Sequence, residues 1–313
     1  MTDSHYHFRY VFGPVPSRRL GLSLGVDLIP KKTCSYDCVY CQVGLTTVHT
    51  TERRTWIPTE EVKKEIALRL SENPPLDYVT FSGSGEPTLG ENIGELIRWV
   101  KSNYSCRTAV LTNGSLLWMP EVREDLEAAD LVVPSMDSAT EEGWRRINKP
   151  ATDLEFPVVM EGIREFCAKR KGTTWLEILL VEGYNDSDDE LEALAAESRA
   201  LRVERIQVHT VTRPPSEGVN PSPNAKLEKL AKMIGPKCEI VMPWAAAAID
   251  SRSANEEAVL GMLSRRPCTV EDLSAGLSIN INEAAKLVSI LLQKGVIAPH
   301  ETAGRKYFSV KQG

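Results

Sequence analysis

The 313-residue chain is predicted to be an α/β protein with a parallel sheet, followed by a small module of a different pattern. Three observations predict this. Apolar, β-branched runs alternate with stretches of helical length from residue 20 to residue 234. Several of those runs end in turns that carry Gly, Asn, Ser or a lone carboxylate. Beyond residue 250 the alternation gives way to three short helices and a hairpin-like pair, so the domains are placed at 1–250 and 251–313.

The elements follow in order. Leu20–Ile29 reads as the first strand, and Pro58–Glu72 as a helix with Thr59 and acids in its first turn. The run from Leu76 is the second strand, closing in Ser82-Gly-Ser-Gly-Glu-Pro. Ile93–Asn103 is a helix, the segment from Arg107 a third strand ending in Thr112-Asn-Gly, and Pro120–Ala129 a helix. A fourth strand begins at Leu131 and is followed by helices over 140–147 and 153–170. Trp175–Glu182 and Ser187–Leu201, then Arg205–Val211 and Ser222–Ile234, make two more strand–helix pairs. Residues 236–252 read as an edge segment and a linker. In the second domain, Glu256–Leu263, Thr269–Gly276 and Asn282–Lys294 are helices. Thr269-Val-Glu-Asp is a start signal like a capping box, with Asp in the usual Glu place. Val296–Val310 alternates around Ala303-Gly304-Arg305, which suits a hairpin.

Composition bounds the function classes. With 42% apolar residues the chain can bury a large core and one small domain. No apolar run approaches the length of a membrane span, so no membrane partner is expected. The acidic balance, net −6 with pI about 5.6, disfavours anionic surfaces as general partners. Met1–Tyr10 is polar, so no export signal is read, and seven cysteines then point to a reducing cytoplasm. Cys106, Cys167, Cys238 and Cys268 lie in apolar surroundings and are read as core.

Cys34, Cys38 and Cys41 are different. They sit in Thr-Cys-Ser-Tyr-Asp-Cys-Val-Tyr-Cys-Gln, spaced three residues and then two, with no fourth cysteine before Cys106. Three thiolates can hold a cubic iron–sulfur cluster and leave one iron without a protein ligand, and an open metal position is where chemistry happens. Three other readings stand beside this one. The spacing also marks one helix face, although Pro30-Lys-Lys-Thr looks more like a strand leaving into a loop. Disulfides would need a secreted context. A structural zinc would need a fourth ligand, for which His49 is the nearby histidine.

The Cys-x3-Cys-x-aromatic-Cys spacing after a strand resembles the signature of the radical S-adenosylmethionine superfamily. The resemblance implies a partial (β/α)6 TIM-like barrel with a [4Fe-4S] cluster on Cys34, Cys38 and Cys41. S-adenosyl-L-methionine would bind at the open iron. An electron from a donor such as flavodoxin or ferredoxin would then cleave it to a 5′-deoxyadenosyl radical that abstracts hydrogen from a substrate. Ser84-Gly85-Glu86 is similar to the superfamily's Gly-Gly-Glu turn, with Ser in the first place, and implies that Glu86 meets the methionine amine. Tyr40 would lie beside the adenine, and Ser135 with Asp137 would face the ribose. Asp137 or Ser138 could equally cap the next helix. Asn113 ends a strand as in the superfamily, and Asn185 would contact the nucleotide or cap its helix. Arg18 and Arg19 could hold a phosphate or carboxylate, or pair with surface acids, and Arg213 could grip a carboxylate of the cofactor or substrate; His209 reads as a core, rim or site residue.

Phe12-Gly-Pro-Val-Pro-Ser-Arg-Arg and the C-terminal pattern resemble a group of iron–sulfur proteins distantly similar to the wyosine-tRNA synthases, carrying a winged helix-turn-helix domain. Residues 251–313 hold eight Lys or Arg against six acids, a weak footprint for a nucleic-acid reader. Three expectations follow. The domain docks RNA for modification, as on tRNA; or it docks a protein or peptide for modification, activation or maturation; or the chain is an iron–sulfur regulator that binds DNA.

Overall fold

The computed structural model describes residues 8–17, 19–212, 217–241, 256–277, 279–302 and 304–311. Arg18, Arg213, Ala303 and residues 242–252 of the segment read as an edge and linker lie outside them.

The chain enters as an antiparallel pair, β1 (Val11–Ser17) and β2 (Gly21–Val26), with an irregular register between Phe12 and Val15. A two-residue parallel pair, β3 (Thr33–Cys34) and β4 (Val48–His49), brackets the cysteine loop. Helix α1 (Thr59–Ser71) then leads to β5 (Tyr78–Phe81). A 3₁₀ turn (Pro87–Leu89) and α2 (Ile93–Asn103) lead to β6 (Arg107–Thr112), and α3 (Pro120–Leu126) to β7 (Leu131–Pro134). Two helices, α4 (Glu141–Asn148) and α5 (Phe156–Lys169), precede β8 (Thr173–Leu180). Helix α6 (Asp188–Ala200), β9 (Arg205–Thr210), α7 (Asn224–Ile234) and β10 (Cys238–Ile240) complete the set.

The sheet order is β1-β2-β5-β6-β7-β8-β9-β10, parallel throughout except for β1 against β2. Six strand–helix units in one parallel sheet make the partial barrel. Leu24, Val26, Val79, Phe81, Val110 and Ile178 pack outward with the helices in the main core. Leu20, Ala109, Leu131 and Val133 cluster separately, with Tyr78, Leu111 and Trp175 against them. The strand residues of this second cluster, Ala109, Leu131 and Val133, lie on the alternate positions to Val110 and Val132 of the main core, as the period of two requires. Cys167 is buried, whereas Cys106 and Cys238 are half-buried at the edge of the main core.

β1 was not read as a strand in the sequence. Gly13, Pro14 and Pro16 argue against one, yet the segment lies at the sheet edge, where proline is tolerated. Helix α4 is capped by Thr140, whose hydroxyl accepts the Gly143 amide at 3.1 Å. That replaces the expectation of Asp137 or Ser138 as cap.

The C-terminal residues form α8 (Glu256–Leu263), α9 (Val270–Leu277), α10 (Ile281–Gln293) and a hairpin of β11 (Ile297–Thr302) with β12 (Arg305–Val310). Thr269 and Asp272 exchange two 3.1 Å bonds, closing the box. The core of this module includes Val259, Cys268, Leu273, Val288, Leu291 and Phe308, and it takes in Val15 from β1. Among the described residues no single helix is long and apolar enough to cross a membrane.

Candidate active site

The carboxyl ends of the parallel strands enclose a cavity of about 270 Å³. Cys34 and Cys38, with Tyr40 from the same loop, line it. So do Gly85 and Glu86 after β5, Asn113 after β6, Ser135 and Asp137 after β7, and Glu177 of β8. Strand ends are where a parallel sheet leaves loops and backbone groups free to build a site.

The cysteine loop is stitched in place by backbone bonds. Asp37 N–H donates to the carbonyls of Asn148 and Lys149 at 3.0 and 3.1 Å, and Val39 N–H to that of Ile147 at 3.0 Å. No disulfide joins the three thiols. Donors are aimed at their sulfurs: the Tyr36 amide at 3.4 Å and Asn113 Nδ2 at 3.6 Å on Cys34, and Asn148 Nδ2 at 3.3 Å on Cys38. The Val43 and Gly44 amides do the same for Cys41. Burial, with Glu86 nearby, pushes the Cys34 thiol up to about 12; burial and Asp137 push Cys38 up, and burial pushes Cys41 up. Binding iron therefore means displacing protons from these thiols.

His49 is not turned to them; its Nε2 pairs with the Ser35 carbonyl at 3.1 Å. Among the described residues no group of three or more His, Cys, Asp or Glu side chains is arranged to hold a metal ion. A multi-iron cluster asks for a different donor set, thiolates at its corners with N–H donors on the sulfurs, and these residues fit that chemistry.

The turn after β5 runs against the cysteine loop. Lys32 N–H donates to Ser84 O at 2.8 Å and Glu86 N–H to Thr33 O at 3.2 Å. A Cβ on Gly85 would lie 2.0 Å from Thr33 O, so only glycine passes there. Ser84, the departure from Gly-Gly-Glu, has a partner. Its amide and hydroxyl donate to Asp27 at 2.6 and 2.9 Å.

Glu86 is 2% exposed and accepts four bonds: Thr88 N at 3.0 Å, Thr88 Oγ1 at 2.6 Å, Thr112 Oγ1 at 2.7 Å and Asn113 N at 2.7 Å. All four donors are neutral. Burial pushes its carboxyl up, and those bonds only partly oppose it. Asp137 is similar. It accepts from Leu179 N at 2.9 Å, Asn148 Nδ2 at 2.8 Å and the Tyr40 hydroxyl, and burial pushes it up. Asn185 sits behind Asp137 rather than along the cavity. Its amide donates to Asp137 O and Leu179 O at 2.7 and 2.8 Å, and it accepts Val181 N at 2.7 Å. Ser187, not Asn185, caps α6.

Glu177 contrasts with both. Burial would push it up, but Arg19 and His209 hold it well below the usual carboxylate range. Arg19 pairs with Oε2, and His209 Nε2 lies 2.5 Å from Oε1. The sequence reading named Arg19 and His209 without their acid, and it missed Glu177, Asn148 and Asp27. Glu177 left one signal, a lone acid in an apolar strand. Asn148 and Asp27 left none.

Two cysteines at a strand-end cavity, a third on the same loop, and two carboxylates without cations make a site suited to a cofactor. The Radical SAM superfamily profile matches residues 28–195, and the chain belongs to that superfamily. It is accordingly a radical SAM enzyme, whose cofactors are a [4Fe-4S] cluster and S-adenosylmethionine. More narrowly, it is similar to the UPF0026 proteins. It is 33% identical over 307 residues to that of Methanocaldococcus jannaschii, covering 95% of this chain and 94% of the relative. A Brachyspira hyodysenteriae protein named GTPase Obg is 37% identical over 298 residues, 94% of this chain but 43% of that one, so the chain spans less than half of that relative. Among solved structures, a radical SAM methyltransferase from Sphaerobacter thermophilus superposes with TM-score 0.55 at 16% identity, over 70% of this chain and 66% of that one, a likeness of fold.

Proposed function

We propose that this radical SAM enzyme modifies a macromolecule, with RNA as the favoured class, and that the C-terminal module is a winged helix-turn-helix that presents the substrate at the barrel mouth. One observation carries this reading: the module sits on the same rim as the cavity. Arg265 approaches Asp27 at 3.7 Å beyond the end of β2 and stacks on Phe12 at 4.5 Å. Lys31 Nζ donates to Ser264 O at 2.8 Å, and the Tyr307 hydroxyl donates to Thr212 O beyond the end of β9. The module thus reaches both the first and the sixth parallel strand. Its hairpin exposes Arg305, Lys306 and Lys311, side chains suited to phosphates.

When bound, the reduced cluster and S-adenosylmethionine supply a 5′-deoxyadenosyl radical for hydrogen abstraction. Cys34, Cys38 and Cys41 would hold the cluster. Glu86, a buried carboxylate with neutral donors only, would receive the methionine ammonium, the cation it lacks. Asp137 and Ser135 would take the ribose hydroxyls and Tyr40 the adenine, with Asn185 holding the Asp137 backbone from behind. Gly85 and Asn113 would form the wall along the methionine, whereas Ser84 does not line the cavity and holds the turn through Asp27. The enzyme needs a reductant, for which a flavodoxin or ferredoxin suits, and an oxygen-sensitive centre suits the reducing cytoplasm. Membership of an enzyme superfamily leaves the DNA-binding regulator without support.

A polypeptide substrate is the second reading. It is favoured by the exposed apolar Ile281 and Ile290 of α10. The two are separated by incubating the loaded, reduced enzyme with cellular RNA or with a protein fraction and measuring 5′-deoxyadenosine. RNA-dependent formation, lost on RNase treatment, is expected. Stimulation by the protein fraction alone would overturn the RNA reading.

A further inference from the structure

We propose that Asn148 is a positioning residue that sets the reduction potential of the centre at Cys38 and links it to the nucleotide wall through Asp137. The inference rests on the cluster being held by the three cysteines. Asn148 is the last residue of α4 and is 3% exposed. Its Nδ2 lies 3.3 Å from Cys38 Sγ and 2.8 Å from Asp137 Oδ2. An amide has two N–H bonds, so one nitrogen can serve both acceptors. A ligand sulfur and a ribose-facing carboxylate therefore share a single donor group.

The placement does not depend on a ligand. The backbone bonds from Asp37 and Val39 to residues 147–149 lock the cysteine loop against the end of α4. Lys149 follows in the left-handed region at φ 43°, which ends the helix at Asn148. The amide is thus presented to Cys38 by rigid elements from both sides.

The consequence follows from charge. Reduction adds an electron to a centre already bearing thiolates, and an N–H donor on a ligand sulfur stabilises the more negative state. Removing that donor makes the centre harder to reduce. Asp137 pulls on the same nitrogen. When ribose hydroxyls take over part of Asp137, Asn148 is freer to bond the sulfur, so the nucleotide raises the potential through this residue.

The test is an anaerobic redox titration by electron paramagnetic resonance on wild type, Asn148→Ala and Asn148→Asp, with and without S-adenosylmethionine. Iron and sulfide content is measured first. A wild type without a four-iron centre would sink the cofactor assignment itself, which is a separate failure. At full iron content, the reduced-to-oxidised ratio of Asn148→Ala at a fixed potential should fall about tenfold, equivalent to about 59 mV for a one-electron couple. Asn148→Asp keeps the shape but loses the donor, so it should fall at least as far. The nucleotide-induced shift should shrink in both variants. Midpoints equal to wild type would overturn the tuning role, and an undiminished nucleotide shift would overturn the link to Asp137. Failure of both variants to retain iron would place Asn148 in cluster assembly instead and overturn the proposal.

Discussion

Two walls of one cavity treat a carboxylate in opposite ways. On the cysteine side, Glu86 and Asp137 are surrounded by amides and hydroxyls and face no cation. On the far side, Glu177 already has Arg19 as its ion-pair partner and His209 in hydrogen-bond contact. A buried carboxylate with only neutral donors is positioned but short of charge, and burial raises its pKa despite those bonds. A carboxylate with its own arginine is complete. On the proposed reading a ligand cation would meet Glu86, whereas Glu177 already has its cation and ties β8 to β9 and the β1–β2 turn.

Four substitutions sharpen or break this contrast, from the largest expected effect downward. Cys38→Ala should abolish both the cluster and cleavage of S-adenosylmethionine; retention of iron and product would remove the assignment of Cys38. Glu177→Gln leaves the half-buried Arg19 without its acid and should lower stability by about 1–3 kcal/mol, measured by denaturant unfolding. Glu86→Gln should weaken S-adenosylmethionine binding by about tenfold or more, because a charge-assisted bond to the ammonium is lost. Its effect on apo-protein stability should be smaller than that of Glu177→Gln. On the module, Arg305→Glu with Lys306→Glu should leave unstimulated cleavage unchanged. If both residues contact phosphates, the pair should reduce the salt slope of RNA binding by about 2.

The pH dependence separates the walls as well. Glu177 has a depressed folded-state pKa, so its contribution is present above the ordinary Glu value of about 4.3 and is lost as pH falls toward the folded value. Glu86 and Asp137 are raised by burial, so in the apo protein their contribution is present at low pH and is lost as pH rises through the folded values. Melting temperature followed against pH should show an acid limb in wild type that is blunted in Glu177→Gln. An unchanged limb would mean that Glu177 is not ionised in the folded protein.

The alternating strands and helices were legible because each obeys a local period. The cysteine spacing was legible because three ligands on one short loop leave a sequence signature. The three acids were not equally legible. Glu86 sits in a glycine turn that can be recognised, while the partners of Glu177 come from β9 and from the β1–β2 turn, far apart in sequence. Asn148 is hidden for a related reason. Its role depends on α4 ending beside Cys38, 110 residues away, and only the folded chain brings the two together. β1 was missed because proline and glycine signal turns locally, whereas at a sheet edge they cost little. Ser84 looked like a flaw in a motif until Asp27 supplied its partner.

The most direct measurement is the low-temperature electron paramagnetic resonance spectrum of anaerobically purified, dithionite-reduced protein before and after addition of S-adenosylmethionine. A reduced four-iron signal whose resonance changes on addition is predicted, because a cluster held by Cys34, Cys38 and Cys41, as proposed, would leave one iron open to the nucleotide. Absence of the signal, or a spectrum indifferent to the nucleotide, would contradict an open-iron centre in this pocket.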